Sequence, residues 1–217
     1  MSEPIQLYSL ATPNGQKVSI ALEEMELPYV AHRIDIMKGE QFAPSFKKIN
    51  PNSKIPAIID PKADGGEDFC IFESGAILTY LADKSGKFLS DDPFVRNRTL
   101  QWLYFQVGGV GPMFGQFGHF YKYAKEKCKD PYPLERYTKE TQRLLGVIDD
   151  RLSENSYLAG EELSIADFAT FPWVVCLDVH YQAEDHLKLN QFKNVQNWVA
   201  KLKSRPALQR GLEVCPI

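Results

Sequence analysis

The residues of this chain whose types suit chemistry are four cysteines, four histidines and a few short polar strings, and their spacing already excludes several reactions. Cys70, Cys128, Cys176 and Cys215 stand far apart, with no C-x-x-C pair and no metal-ligand pattern. Cys70, within Phe69-Cys70-Ile71-Phe72, and Cys176, within Val174-Val175-Cys176-Leu177, read as small buried hydrophobes, so a protein cysteine nucleophile is not expected. His32, His119, His180 and His186 lack metal spacing as well, so no metal site is expected. Ser164-Ile165-Ala166-Asp167 pairs a hydroxyl with a carboxylate, but no histidine is placed to complete a nucleophilic set. An S-x-x-D string ahead of an apolar run reads instead as a capping box.

Two other strings leave their meaning open. In Asn52-Ser53-Lys54-Ile55-Pro56-Ala57-Ile58-Ile59-Asp60, Pro56 has no N–H to give to a ladder, so it marks a strand start or a sheet edge and leaves a free edge beside it. A cis Ile55–Pro56 bond would turn the Ile55 backbone outward, where an extended peptide could pair with it. An ordinary strand-entry proline explains the string equally well. In Ala11-Thr12-Pro13-Asn14-Gly15, Thr12 and Asn14 are short hydrogen-bond donors, and Thr12 before Pro13 is also a good helix start in need of no further function.

The elements that must position these groups follow from periodicity and breakers. Ile5 to Leu10 reads as a strand, Lys17 to Met25 as a helix with Val18, Ala21, Leu22 and Met25 on one face, and Tyr29 to Ile36 as a second strand. A short polar segment from Glu40 to Lys48 leads into the Pro56 strand. Gly65-Gly66 turns the chain into Phe69–Phe72 as an antiparallel hairpin, and Glu73 to Ala82 starts another helix. The order β-α-β-α-β-β-α is a layered α/β unit over residues 1–86. Lys87 to Pro93 reads as a linker. From 94 to 217 the apolar pattern is helical: a long aromatic-rich segment to about Tyr123, kinked by Gly108, Gly109, Gly111, Pro112, Gly115 and Gly118, then segments from Pro133, Ser164, Phe192 and Pro206.

With 217 residues, 44% of them hydrophobic, the chain can bury a substantial core. A net charge of −3 and a pI near 5.9 provide no broad basic face, so nucleic acid is not an expected partner. No leader and no membrane-length apolar run stands out, so a soluble cytoplasmic protein with no membrane partner is expected.

Taken together, Asn-Ser-Lys-Ile-Pro at 52–56, Phe-Glu-Ser-Gly at 72–75, an all-helical second half and Ser-x-x-Asp at 164–167 resemble the cytosolic glutathione transferases. The likeness spans nearly the whole chain. Ala-Thr-Pro-Asn-Gly at 11–15, Gln101-Trp102-Leu103, Gln106-Val107-Gly108-Gly109 and Leu134-Glu135-Arg136-Tyr137 are similar to the bacterial nu class and the related fungal nitrogen-regulator proteins. The resemblance implies an N-terminal thioredoxin-like domain that binds glutathione and an all-α C-terminal domain. It also implies a homodimer, with glutathione as co-substrate and no tightly bound cofactor.

Carried over by motif, Ile55 ahead of a cis Pro56 would pair with the cysteinyl part of glutathione, and Glu73 and Ser74 would hold its γ-glutamyl end. Gln41 and Lys54 would reach the glycyl carboxylate, and Arg136 and His119 the carboxylates of a second glutathione. Thr12 and Asn14 would be catalytic, aiming donors at the sulfur so that it ionises. The better-known classes carry a Tyr, Ser or Cys after the first strand. Counting back from Gly15 finds Leu10 at the tyrosine position and Thr12 at the serine position, with Tyr8 two residues too early. This departure fits the activity the nu-class resemblance implies, a glutathione-dependent disulfide-bond oxidoreductase acting on small-molecule or protein disulfides and holding two glutathione molecules or one disulfide. Conjugation of glutathione to electrophiles is the alternative within enzymes, and a non-catalytic glutathione-binding or regulatory protein the alternative outside them.

Overall fold

The computed structural model of the protein describes residues 3–61, 63 and 66–217. The chain runs β1 (Ile5–Ser9), α1 (Pro13–Met25), β2 (Tyr29–Arg33), α2 (Pro44–Ile49), β3 (Ala57–Asp60), β4 (Phe69–Phe72) and α3 (Ser74–Ser85). It continues through α4 (Pro93–Phe105), α5 (Gly111–Gly118), α6 (Pro131–Glu154), α7 (Ile165–Val179), α8 (Glu184–Leu187), α9 (Lys193–Lys203) and α10 (Pro206–Leu212). Contacts divide it into two units, residues 1–89 with 203–217, and residues 90–202. The closing segment, read from sequence with the helical half, therefore packs with the first unit.

In the first unit the described strands form one sheet in the order β2-β1-β3-β4. β1 pairs parallel with β2, as expected of a β-α-β crossover, and antiparallel with β3, while β3 and β4 form the expected antiparallel hairpin. Gly65, half of the expected hairpin turn, lies outside the described residues. The free edge expected beside Pro56 is absent among them: β3 is an interior strand, hydrogen-bonded to β1 on one side and β4 on the other. Pro56 stands just ahead of that strand, where its missing N–H costs the ladder nothing. Leu7 and Ile58 from the sheet, Val18, Ala21 and Leu22 from α1, and Ile77, Leu78 and Leu81 from α3 are all fully buried.

The closing segment is fastened to α1 by close approach and charge. A Cβ at Gly211 would lie 2.5 Å from the Ile20 Cα, so only glycine lets α10 come this near. The Arg205 guanidinium makes a two-point ion pair with the buried Glu24 carboxylate at 2.6 and 2.8 Å, and Arg210 reaches Glu23 at 2.7 Å.

In the second unit the expected long segment is continuous from Pro93 to Tyr123. It is broken by wider π-helical turns at Gln106–Val110 and His119–Tyr123, the first of them in the glycine cluster. Phe114, Phe117, Leu144, Ile148, Phe168 and Phe171 fill its core. The Ser164–Asp167 capping box forms at the start of α7. Asp167 is fully buried and accepts from Ser164 N and Oγ on one carboxylate oxygen, and from Leu158 N and Trp198 Nε1 on the other. Every one of its contacts is structural, as the capping reading expects.

Candidate functional site

Strand register brings most of the sequence-derived residues to one end of the sheet. Ala57 is paired with Tyr8 on one side and with Phe72 on the other, at the roughly 5 Å spacing of neighbouring strands. Because β1 and β4 both run antiparallel to β3, their C-terminal ends lie at the end where β3 begins. The Thr12–Asn14 string after β1, Ile55–Pro56 before β3 and Glu73–Ser74 after β4 therefore emerge side by side. Two helices, α1 and α3, start there, so both present the positive end of their dipoles at this end of the sheet.

Each residue has a definite local setting. The Ile55–Pro56 bond is cis. Thr12 is the N-cap of α1: its Oγ1 accepts the Gly15 N–H at 3.4 Å, and its own hydrogen goes to the Leu10 carbonyl at a long 3.5 Å. Asn14 lies in the first turn, half-buried. A Cβ at Gly15 would stand 2.0 Å from the Leu10 carbonyl oxygen, so glycine is what lets the helix begin so tightly against the strand. Glu73 is exposed and held at φ +69°, a conformation that costs a non-glycine residue on the order of 1–3 kcal/mol and recurs at functional sites. Ser74 opens α3 and is buried, and among the described residues no side chain caps that helix. Its first N–H groups are thus available to an anion.

The remaining candidates of this unit are less committed. Lys54 is exposed. Gln41 donates Nε2 to the Ile36 carbonyl at 3.4 Å, and its Oε1 is buried without a partner among the described residues. Tyr8 stacks on His32 with ring centroids 4.6 Å apart, on the sheet surface. Cys70 corrects the sequence reading: it is exposed rather than buried, because β4 turns only Ile71 inward, and partial desolvation of the thiol together with the nearby Asp68 carboxylate raises its pKa. A thiol so shifted is a poorer nucleophile at neutral pH, so the expectation of no cysteine nucleophile keeps its basis there. Cys176 is buried as expected, and burial pushes its thiol up to about 11.

Sequence reasoning missed three contributors. Lys17, one turn beyond Asn14, is buried, and its Nζ reaches Ser74 Oγ at 3.2 Å, joining α1 to the start of α3. Burial pulls its pKa down to about 7, partly opposed by Glu73. Asn50, also buried, donates Nδ2 to the Lys54 carbonyl at 2.6 Å and accepts from Asn52 N at 2.9 Å, which braces the loop leading into Pro56. The closing segment holds the other loop. Ala11, next to Thr12, donates its N–H to the Cys215 carbonyl at 2.8 Å, and Arg33 Nε donates to the Pro216 carbonyl at 2.9 Å. A lysine at a polar helix start was the only local sign of any of these.

Arg136 and His119 belong to the second unit. Arg136 is exposed, makes no ion pair among the described residues, and lines a cavity of about 480 Å³ with Met113, Tyr132, Tyr137, Glu140 and Arg143. Arg143 is engaged by Glu140 at 2.7 Å, whereas Arg136 acts on that carboxylate through its charge without an ion pair among the described residues, and Lys139 is a third cation lining the cavity. His119 does not line the cavity. Its ring packs edge-on against Phe120, which stacks on Tyr137.

The first-unit cluster has the parts to hold a zwitterion next to an ionising thiol: a carboxylate for an ammonium, a hydroxyl and uncapped N–H groups for a carboxylate, and a hydroxyl and an amide at a second helix start. Family comparison agrees with this class of site. Residues 3–83 match the family model described as the glutathione S-transferase N-terminal domain and residues 112–206 the glutathione S-transferase C-terminal domain. The chain belongs to the glutathione S-transferase family, as its motifs led one to expect.

Among its relatives, the disulfide-bond oxidoreductase YfcG of Escherichia coli is 48% identical, with 96% of this chain and 94% of that protein covered. A glutathione transferase family member from Pseudomonas fluorescens, solved with two glutathione molecules bound, is 51% identical with a TM-score of 0.95, covering 98% of this chain and 93% of that one. A glutathione transferase from Pseudomonas putida, with one glutathione disulfide bound per subunit, is 52% identical with a TM-score of 0.94, covering 97% and 91%.

Proposed function

We propose that this chain is a glutathione-dependent disulfide-bond oxidoreductase of the nu type that uses glutathione thiolate and no protein cysteine. The observation that carries the reading is the convergence of Thr12, Asn14, Ile55–Pro56, Glu73 and Ser74 at one sheet end, where two helices start. It is supported by the glutathione disulfide and paired glutathione molecules held by the Pseudomonas relatives and by the activity named for the E. coli one. Glu73 and Ser74 hold the γ-glutamyl end, Ile55 pairs with the cysteinyl backbone, Gln41 and Lys54 serve the glycyl end, and Thr12 and Asn14 face the sulfur. The thiolate attacks one sulfur of a disulfide RSSR, forming a mixed disulfide and expelling RS⁻. A second glutathione thiolate attacks the glutathionyl sulfur, giving glutathione disulfide and the second RS⁻. The two thiols consumed supply the two protons that the released thiolates take up. Arg136, the better placed as an exposed cation lining the cavity, and His119 serve the carboxylates of the second glutathione.

Steady-state assays with a small dialkyl disulfide and with an aryl halide, on the wild type and on Arg136→Ala, test this reading. Disulfide reduction is expected to exceed conjugation, and Arg136→Ala is expected to lower disulfide-reductase kcat/KM by about tenfold, the cost of one lost charge-assisted contact. Dominant conjugation would favour a transferase. Glutathione binding without turnover of either substrate would favour a regulatory protein.

A cytoplasmic location and a homodimer complete the proposal. No helix among the described residues is long and apolar enough to cross a membrane. Each unit exposes large apolar side chains, Phe42 and Phe69 in the first and Phe94 and Tyr104 in the second, as an unpaired subunit of a dimer would. Light scattering is expected to give twice the 24.7 kDa chain mass, and a monomer at micromolar concentration would refute the dimer.

A further inference from the structure

We propose that Lys17 is the counter-charge for the ligand's α-carboxylate at Ser74 and takes up a proton from solvent as that carboxylate arrives. The inference deepens the glutathione reading above and rests on it. Lys17 is 2% exposed, and its Nζ is fixed at 3.2 Å from Ser74 Oγ, at the start of α3. An ammonium there faces the positive end of a helix whose first N–H groups have no side-chain cap, an arrangement that opposes the cation and favours an anion. A buried lysine in this place is out of keeping with a purely structural role, since an apolar side chain of the same length would fill the space without placing a charge there.

The charged groups around Lys17 come from the two helices packed against α1. From α3 and its cap, Glu73 acts on the ammonium, while Asp83 and Lys84 lie at the far end of that helix. From α10 and the residue before it, Arg205 and Arg210 are taken up by Glu24 and Glu23. The Glu73 carboxylate opposes the effect of burial without offsetting it, and the lysine pKa is lowered to about 7. A ligand carboxylate on Ser74 adds a second negative charge beside the ammonium and raises that pKa.

The sign follows. With the pKa lowered to about 7, part of the ligand-free population near neutral pH carries neutral Lys17, and binding converts it to the ammonium, so a fraction of a proton is taken up per ligand. Uptake grows toward roughly pH 8, where the ligand-free lysine is mostly neutral, and vanishes near pH 5.5, where it is already charged. The glutamyl subsite thus weakens its hold on ligand as pH rises through 7, a dependence opposite in direction to that of thiol ionisation.

The test is calorimetry of S-methylglutathione, which has no thiol to release a proton, in buffers of different ionisation enthalpy at these three pH values. Wild-type protein is expected to show uptake that peaks near pH 8. Lys17→Met is expected to bind about tenfold more weakly with no uptake, and Lys17→Arg, which holds its charge at every pH used, to bind without uptake. Binding by wild type with no dependence on buffer, or uptake that persists in both variants, overturns the role of Lys17 while leaving the glutathione reading standing. Absence of binding at every pH overturns both.

Discussion

Thr12→Ala combined with Asn14→Ala is expected to lower kcat/KM for disulfide reduction by roughly 10²-fold or more, with affinity for S-methylglutathione little changed. A hydrogen bond to a charged group is worth about 1.5–3 kcal/mol, which is roughly 10- to 150-fold in rate when it is made only to the developing thiolate. Both donors are proposed to act on one sulfur, so their effects are not expected to add fully. Thr12 is suited to this role by what its hydroxyl does already: it accepts from Gly15 N, and the hydrogen it gives Leu10 is held only loosely at 3.5 Å. That hydrogen can swing toward a thiolate while the cap stays in place. Thr12→Ala also removes the cap, which costs about 1 kcal/mol of stability. Thr12→Ser retains both functions and is expected to restore most of the activity, which separates chemistry from folding. Unchanged turnover in the double variant would sink the assignment.

Asp167→Ala should destabilise the second unit by on the order of 3–5 kcal/mol, read as a fall in the midpoint of denaturant unfolding. The carboxylate is fully buried and satisfies Ser164 N and Oγ, Leu158 N and Trp198 Nε1. Replacing it leaves four donors with no acceptor in a dry interior, each costing on the order of 1 kcal/mol or more, and opens a void besides. Asp167→Asn keeps one acceptor oxygen and should lose less. A change below about 1 kcal/mol in the alanine variant would mean that water replaces the carboxylate and that the network is not a keystone of the helical unit.

These two residues mark how far local sequence can be read. The Ser164–Asp167 box, the Thr12 cap and the order of strands and helices were legible because caps and hydrophobic periods act within a few residues of one another. The cis Pro56 and the Glu73–Ser74 helix start were legible only as family motifs, and their shared location waited on the pairing of Ala57 with both Tyr8 and Phe72. Cys70 was misread because Phe69 and Phe72 surround it with apolar neighbours. The strand nevertheless leaves Phe69 49% and Phe72 36% exposed, so the apolar run does not mark burial on both faces.

By itself the sequence determined the family, the β-α-β-α-β-β-α order and the helical second half, and it nominated most residues of the candidate site, since each of these rests on short strings and their periods. The tertiary structure alone decided that the Pro56 strand is interior and that the closing segment returns to hold Ala11 through Cys215. It also placed Lys17 against Ser74, 57 residues away in the chain. The physical reason is the same in each case. A strand's neighbours and a lysine's burial are set by which distant surfaces meet, and that contact has no signature in the local pattern of either partner.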